Sequence, residues 1–507
     1  SVMRRRSAPQ PPRHHHWNPC SSDSPSPGVS PLEDGRPFLI GGRWSHTATT
    51  APVRNPYTGE TIAHVCQAGP AEAEAAVQSS VEGAVAMRRL SGYARSTLLQ
   101  NAAHALQSRQ EEFARTMMAE AGKPLTDARR EVGRAIQTFS IAGEEAKRIG
   151  GEVVPLDWSP GMESYWGVTR RFPIGPILGI TPFNFPLNLV VHKVAPALAA
   201  GNSILIKPAP QTPLTSLLLA ELLLEAGVPP GGLNVLPCDN RVAEQLVVDP
   251  RFKLLSFTGS APVGWMLKAK CGKKKVVLEL GGNAAVIVEP DADLDYVAQR
   301  CVTGGFSYAG QTCISVQRIF VHESIVAAFT ENLVARVERL ETGDPGNERT
   351  VVGPLIDPGA AQRIEGWIGD AVAQGARVLS GGTRVGSVVR PTVLSQVTPA
   401  MKVSCQEVFG PLVTITPYRE FDDVLKAVNE SEYGLQAGVF TSNIGRIFQA
   451  FEQLEVGAVL ANEIPTFRAD HMPYGGVKDS GIGREGLRYA IEDMTEPKLL
   501  VMNLRRP

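Results

Sequence analysis

The stretch PILGITPFNFPLNLVVHKVAPALAAGNSILIKPAP, residues 176–210, decides the fold. It opens with an apolar run, PILGITP (176–182), that ends in turn residues. HKVAPALAAGN (192–202) reads as a helix up to Gly201, and SILIKPA (203–209) as a second strand. A further helical pattern, LTSLLLAELLLEAG (214–227), follows at once. Strand, helix, strand, helix in this order predicts parallel neighbours joined by crossover helices. LNVLP (233–237), KLLSFTGS (253–260) and KKVVLELGG (274–282) extend the series. Near-continuous Val, Ile and Leu in such runs marks strands covered on both faces, and the fold class is α/β.

Outward from this core the pattern changes twice. Residues 71–149 carry helical periodicity almost throughout, with Gly122 and the Gly150-Gly151 pair as helix stops, while GGRW and NPYTGE (55–60) read as short strands around a turn. From about 283 to 480 a second α/β block has strands at AAVIV, RIFVH and GVFTS. PKLLVMNL (497–504) reads as one more strand, set apart, which needs a partner such as a neighbouring subunit.

A chain of 507 residues divides into more than one domain. Its formal net charge of −1 and lack of long single-sign runs point to no nucleic-acid partner. The seven cysteines are scattered with no CxxC pair, so neither a metal site nor a disulfide framework is indicated, and a reducing, cytoplasmic setting fits. No apolar run approaches the roughly 20 residues of a membrane helix; the helix at 214–227 is broken by Glu221 and Glu225. The first thirty residues are rich in Pro, Ser, Arg and His with one acid, Asp23, and predict a disordered tail. Their arginines resemble a transit peptide, but the prolines forbid a good amphipathic helix.

Chemistry is carried by short motifs at the strand ends. The only GxGxxG, Gly481 to Gly486, does not follow a strand inside a βαβ unit and reads as a turn feeding the last helix. FTGSAPVG (257–264) follows a strand and opens a helix, so backbone N–H groups near Gly259 and Ser260 can meet a phosphate. TPFNFP (181–186), LIKPAP (205–210) and LELGG (278–282) sit at carboxyl ends of strands, where open α/β sheets bind ligands. They bring Asn184, Lys207 and Glu279, each with a bland alternative: turn residue, solvated strand end, half of an ion pair. GQTCIS (310–315) holds Cys313; taken alone, such a cysteine is more often a small packed hydrophobe than a nucleophile.

Together TPFNFPLN, LIKPAPQTP, FTGSAPVG, LELGGNAAVIV, GQTCIS, EVFGPL and PYGGVKDSGIGREG occur in the order found in the aldehyde dehydrogenase superfamily. The resemblance covers residues 34–504. It implies a Rossmann-like cofactor domain (31–150 and 173–281), an α/β catalytic domain (282–486), and a small β oligomerisation element (151–172 and 487–507). It implies a homodimer or homotetramer.

The resemblance implies that Cys313 attacks an aldehyde, that Asn184 and the Cys313 N–H hold the oxyanion, and that Glu279 activates water. Relatives that pass the acyl group to coenzyme A lack this glutamate, so a free acid is the expected product. The cofactor, NAD or NADP, is expected against Ile180, Thr181, Pro182 and Phe183, against Lys207, Ala209 and Pro210, and against Thr258, Gly259, Ser260 and Val263. Leu280, Gly281, Glu407 and Phe409 complete that set, with Lys207 and Glu407 on the two riboses. NAD-preferring members often carry glutamate where this chain has Pro210, which leaves NADP open; Arg241, in the loop CDNR (238–241), is either a 2′-phosphate contact or a solvated arginine. For substrate, the chain is similar to the branch of lactaldehyde and non-phosphorylating glyceraldehyde-3-phosphate dehydrogenases. Arg134, Phe185, Thr312 and Arg468 are the candidate contacts. The phosphate-binding members carry arginine where Thr312 stands, so a small hydroxy- or carboxy-aldehyde such as lactaldehyde or succinate semialdehyde is expected. Two alternatives remain: a cysteine hydrolase or acyltransferase without redox chemistry, and a non-catalytic structural relative.

Overall fold

The computed structural model describes residues 35–504. The N-terminal tail expected at 1–30 lies outside the described residues.

Five parallel strands form the heart of the first sheet, in the order Leu233–Val235, Ile204–Lys207, Ile177–Ile180, Leu254–Thr258, Lys275–Glu279. The chain steps outward one way from Ile177–Ile180 and then returns to build the other side. The order therefore reverses between Ile177–Ile180 and Leu254–Thr258, which opens a crevice beyond their carboxyl ends. Antiparallel strands close both flanks: Phe38–Ile40 with Arg43–Ser45 on one, and Gly481–Ile482 on the other. The helix Asn188–Ala200 is buried along its whole length, Pro196 included, and ends at Gly201 in the left-handed region at φ 88°. It starts four residues before the periodic segment at 192, because the Glu131 carboxylate accepts from the Leu187 and Asn188 N–H groups. The helical region before the sheet divides into Pro70–Arg89, Gly92–Ser108, Gln110–Ala121 and Leu125–Glu145, with Gly122 ending the third at φ 64°.

A second sheet has seven strands, in the order Arg377–Ser380, Thr392–Ser395, Leu412–Tyr418, Arg318–His322, Ala285–Val288, Gln436–Phe440, Ala458–Ala461. All its pairings are parallel except the first. The two sheets have separate apolar cores.

A third, antiparallel sheet joins Val153–Pro155, Tyr165–Pro173 and Thr495–Asn503. The segment before its last strand is the helix Leu487–Asp493, whose Leu487 and Ile491 belong to the core of the first sheet. Leu499, Leu500 and Val501 on this third sheet are exposed, and Trp158 between its strands is 86% exposed. Among the described residues no helix is long and apolar enough to cross a membrane, and no cluster of His, Cys, Asp or Glu could hold a metal ion.

Candidate active site

Cys313 follows an unusual turn. Tyr308, Ala309 and Gly310 have φ of 48°, 54° and 67°, three consecutive residues in the left-handed region. For the two non-glycine residues this costs of order 1–3 kcal/mol each and persists only where the surroundings impose it. Here they do. The Tyr308 hydroxyl donates to the Ala121 carbonyl at 3.1 Å, and its backbone N–H to Asp127 at 3.2 Å. The Lys123 ammonium lies 4.4 Å from the Tyr308 ring centre and 3.7 Å from that of Phe185, and is ion-paired with Glu131. Gly310 has no alternative, since a Cβ would meet the Gly410 carbonyl oxygen at 2.2 Å.

The next residue locks the loop. Gln311 receives the Ile356 N–H at 2.9 Å and donates to the carbonyls of Tyr308 and Pro354. Asn184 donates from Nδ2 to the Gln311 carbonyl at 3.0 Å, tying the end of the Ile177–Ile180 strand to the cysteine loop. No acceptor takes the Cys313 N–H among the described residues.

A cavity of about 630 Å³ opens in the crevice of the first sheet. Ile180, Thr181, Pro182, Phe183 and Asn184 border it from one strand end, and Lys207, Ala209 and Pro210 from the next. Thr258, Gly259, Ser260 and Val263 border it at the start of the helix Ala261–Lys270. Leu280 and Gly281 join them, with Glu407, Phe409 and Cys313 from the second layer. Residues missed by the sequence reading also border it, among them Gln211, Asn240 and Arg363. Arg241 does not; it is exposed, and its neighbour Asn240 is the residue that faces the cavity.

This lining fits a dinucleotide. Ser260 makes no side-chain cap to its helix, so the first-turn N–H groups remain available to an anion. Lys207 is 6% exposed, and its ammonium has no hydrogen-bond or ion-pair partner among the described residues. Burial pulls its pKa down. A buried ammonium of this kind calls for hydroxyl or phosphate acceptors from a ligand. Glu407 accepts from the Gly282 N–H at 2.9 Å, and burial raises its carboxyl to about 7.

Glu279 does not border that cavity. It is 2% exposed, lies against Gly475, and neither of its carboxyl oxygens has a hydrogen-bond partner among the described residues. Burial, then the nearby charge of Glu485, pushes its pKa well above the ordinary carboxyl range. Burial opposes ionisation of Glu485 too, but Lys193 at 3.2 Å and Arg468 at 2.9 Å hold it at about 2. Glu485 is thus held in its ionised form, while Glu279 is the member of the pair that takes up a proton more readily.

The four expected substrate contacts do not line the cofactor-type cavity, although Phe185 and Thr312 adjoin its residues Asn184 and Cys313. Thr312 flanks the cysteine. Arg134 holds Asp470 through two nitrogens, at 2.8 and 3.2 Å, and lies 6.0 Å from the Phe185 ring centre. Arg468 stacks 3.7 Å from the ring centre of Tyr474, and the Tyr474 hydroxyl lies 2.9 Å from the Cys313 sulfur. Tyr474, Glu485 and Lys193 were missed by the sequence reading; the first two belong to the motif PYGGVKDSGIGREG, which was read only as a whole. The buried His192 is bonded to Asp470 at 2.9 Å. Burial raises the Cys313 thiol to about 12, with Tyr474 opposing the rise.

A cysteine on a strained loop beside a dinucleotide-sized crevice defines an oxidoreductase-type site. Comparisons with known proteins agree. The aldehyde dehydrogenase family model matches residues 44–500, and the chain belongs to that family. It is 46% identical over 468 residues to the 3-sulfolactaldehyde dehydrogenase of Priestia megaterium, covering 92% of this chain and 98% of that one. The crystal structure of aldehyde dehydrogenase 21 from Physcomitrella patens, in complex with the reaction product succinate, superposes with a TM-score of 0.92 at 44% identity, covering 94% and 99% of the two chains. That of the glyceraldehyde-3-phosphate dehydrogenase of Methanocaldococcus jannaschii, complexed with NADP, gives a TM-score of 0.87 at 38% identity over 90% and 100%. The chain is an NAD(P)-dependent aldehyde dehydrogenase.

Proposed function

We propose that this enzyme oxidises a small aldehyde bearing an anionic or hydroxyl group to the free acid, with Cys313 as nucleophile. The observation that carries the reading is that Cys313 and Asn184 border the same cavity as the unpaired Lys207 and the open helix start at Ser260.

Attack of the Cys313 sulfur on the carbonyl carbon forms a C–S bond and places a negative charge on the carbonyl oxygen. The Cys313 N–H and the second hydrogen of Asn184 Nδ2 receive that charge, the first hydrogen being fixed on Gln311. Loss of one such donor typically costs about 3–4 kcal/mol of transition-state stabilisation. Lys207, Glu407 and the Ser260 helix start would hold NAD(P), which would supply the hydride acceptor; Cys313 would then carry the oxidised substrate carbon as a thioester. Glu279 then takes a proton from the attacking water, the C–S bond breaks, and the acid leaves with the cysteine restored. Its raised pKa makes its ionised form a stronger base than an ordinary carboxylate.

Arg134, Phe185, Thr312 and Arg468 are assigned to the substrate end. Arg134, partly exposed beside its partner Asp470, favours a carboxylate or a similar small anion there, Arg468 being committed to Glu485, in keeping with relatives named for 3-sulfolactaldehyde and crystallised with succinate. Thr312, in place of an arginine, argues against glyceraldehyde 3-phosphate. Pro210 supplies no carboxylate to repel a 2′-phosphate, which leaves NADP open beside NAD. The exposed apolar third sheet supports a homodimer or homotetramer, and the scattered cysteines a cytoplasmic enzyme.

The test is an aldehyde panel (lactaldehyde, succinate semialdehyde, sulfolactaldehyde, glyceraldehyde 3-phosphate) with each cofactor, followed at 340 nm. Highest kcat/KM on a phosphorylated aldehyde would overturn the substrate assignment.

A further inference from the structure

We propose that the Tyr474 hydroxyl is a catalytic hydrogen-bond donor that stabilises the Cys313 thiolate before attack. This rests on Cys313 being the nucleophile.

The two atoms are 2.9 Å apart, and Tyr474 is buried in a small cluster with Ile314, Leu435 and Met472 beside Cys313. The ring is fixed from two sides. Its backbone exchanges hydrogen bonds in both directions with that of Glu485, at 3.0 and 2.6 Å. The Arg468 guanidinium stacks on its face, 3.7 Å from the ring centre, and is itself bonded to the Glu485 carboxylate at 2.9 Å. One residue, Glu485, therefore places both the phenol and the cation beneath it.

While the sulfur carries its proton, either atom of the pair can donate. Once the proton passes to water, only the phenol can. The bond becomes charge-assisted in the thiolate alone, and roughly twice as strong as a neutral one. Such an interaction favours the reactive form over the resting form, which is what an activating contact must do. Among the other groups facing the thiol, Glu407 and Glu279 oppose ionisation, while the buried Arg468, paired to Glu485, favours it alongside the phenol. Burial keeps the phenol itself protonated, since it raises its pKa well above the ordinary value. After attack the sulfur is a thioether, a weak acceptor, so the tyrosine does not hold the intermediate back.

The experiment measures Cys313 alkylation by iodoacetamide against pH, by mass spectrometry of the Cys313 peptide, in wild type and Tyr474→Phe. The expected result is a rise of about one pH unit in the alkylation midpoint and about a tenfold fall in rate at pH 8. The acid limb of kcat/KM should move by the same amount, with NADP affinity unchanged. Should Tyr474→Phe misfold, Tyr474→3-fluorotyrosine keeps the shape with a stronger donor, and the midpoint should fall. A midpoint that stays put in the folded variants overturns the role of Tyr474. Aldehyde oxidation retained in Cys313→Ala would instead overturn the underlying assignment of the nucleophile.

Discussion

Gly282 and the backbone of Cys313 are in direct contact: a Cβ at position 282 would lie 2.2 Å from the Cys313 carbonyl oxygen. The strand end that delivers Glu279 and the loop that delivers Cys313 thus touch through a residue with no side chain. Gly282→Ala must push the cysteine loop away. A misplacement of about 1 Å costs on the order of 10²-fold in rate, so kcat/KM should fall by at least that factor. Steady-state kinetics within twofold of wild type would show that the contact is not needed.

Glu279→Gln separates the two halves of the reaction. Hydride transfer precedes the water step, so the variant should give a rapid NAD(P)H burst of about one equivalent per active site. Slow turnover should follow, reduced about 10²–10⁴-fold. Stopped-flow absorbance decides it; equal losses in burst and steady state would contradict the assigned role.

Glu279 and Glu485 should move stability in opposite directions. Glu279 is raised, so it favours the folded state below its unfolded pKa of about 4.3 and loses that contribution as pH rises through its higher folded value. Glu279→Gln should therefore raise the thermal midpoint at pH 9 and change little at pH 5. Glu485 is lowered to about 2, so its contribution is present above pH ~4.3 and lost as pH falls through about 2. Glu485→Gln leaves Lys193 and Arg468 buried without a counter-charge and should cost about 3–5 kcal/mol at pH 7. Thermal scans of both variants at pH 5, 7 and 9 provide the check.

Cofactor choice can be probed at Pro210. Pro210→Glu places a carboxylate at the cavity edge beside Lys207. It should lower kcat/KM with NADP by about tenfold or more, the effect of about 1.4 kcal/mol of repulsion, and leave NAD little affected. Parallel titrations with the two cofactors measure this; an unchanged ratio would place the 2′-position elsewhere.

Much of the arrangement is legible in the sequence because parallel strands carry their own signature. The apolar runs ending at Ile180, Lys207, Thr258 and Glu279 are contiguous, and the polar residues just beyond them sit where such sheets bind ligands. The turn Tyr308–Gly310 is not legible, since nothing in SYAG announces three left-handed residues; they are imposed by Ala121, Asp127 and Lys123, far away in the chain. The start of the Asn188 helix escapes for the same reason, its cap being the distant Glu131. Tyr474 and Arg468 acquire their meaning only when Glu485 brings them beneath Cys313. Short local patterns encode strands well, whereas long-range polar contacts have no local trace.

The strand Gly481–Ile482 and the helix Leu487–Asp493 belong to the first sheet and its core, yet they follow the whole second sheet in the chain. During synthesis the first layer therefore waits, with the flank of Lys275–Glu279 unpaired, until some 202 further residues (481 − 279) have been made. The two layers are threaded through one another in time as well as in space. A ribosome-bound chain ending before residue 481 exposes a buried-type strand edge, the kind of surface that chaperones hold and that aggregates form on.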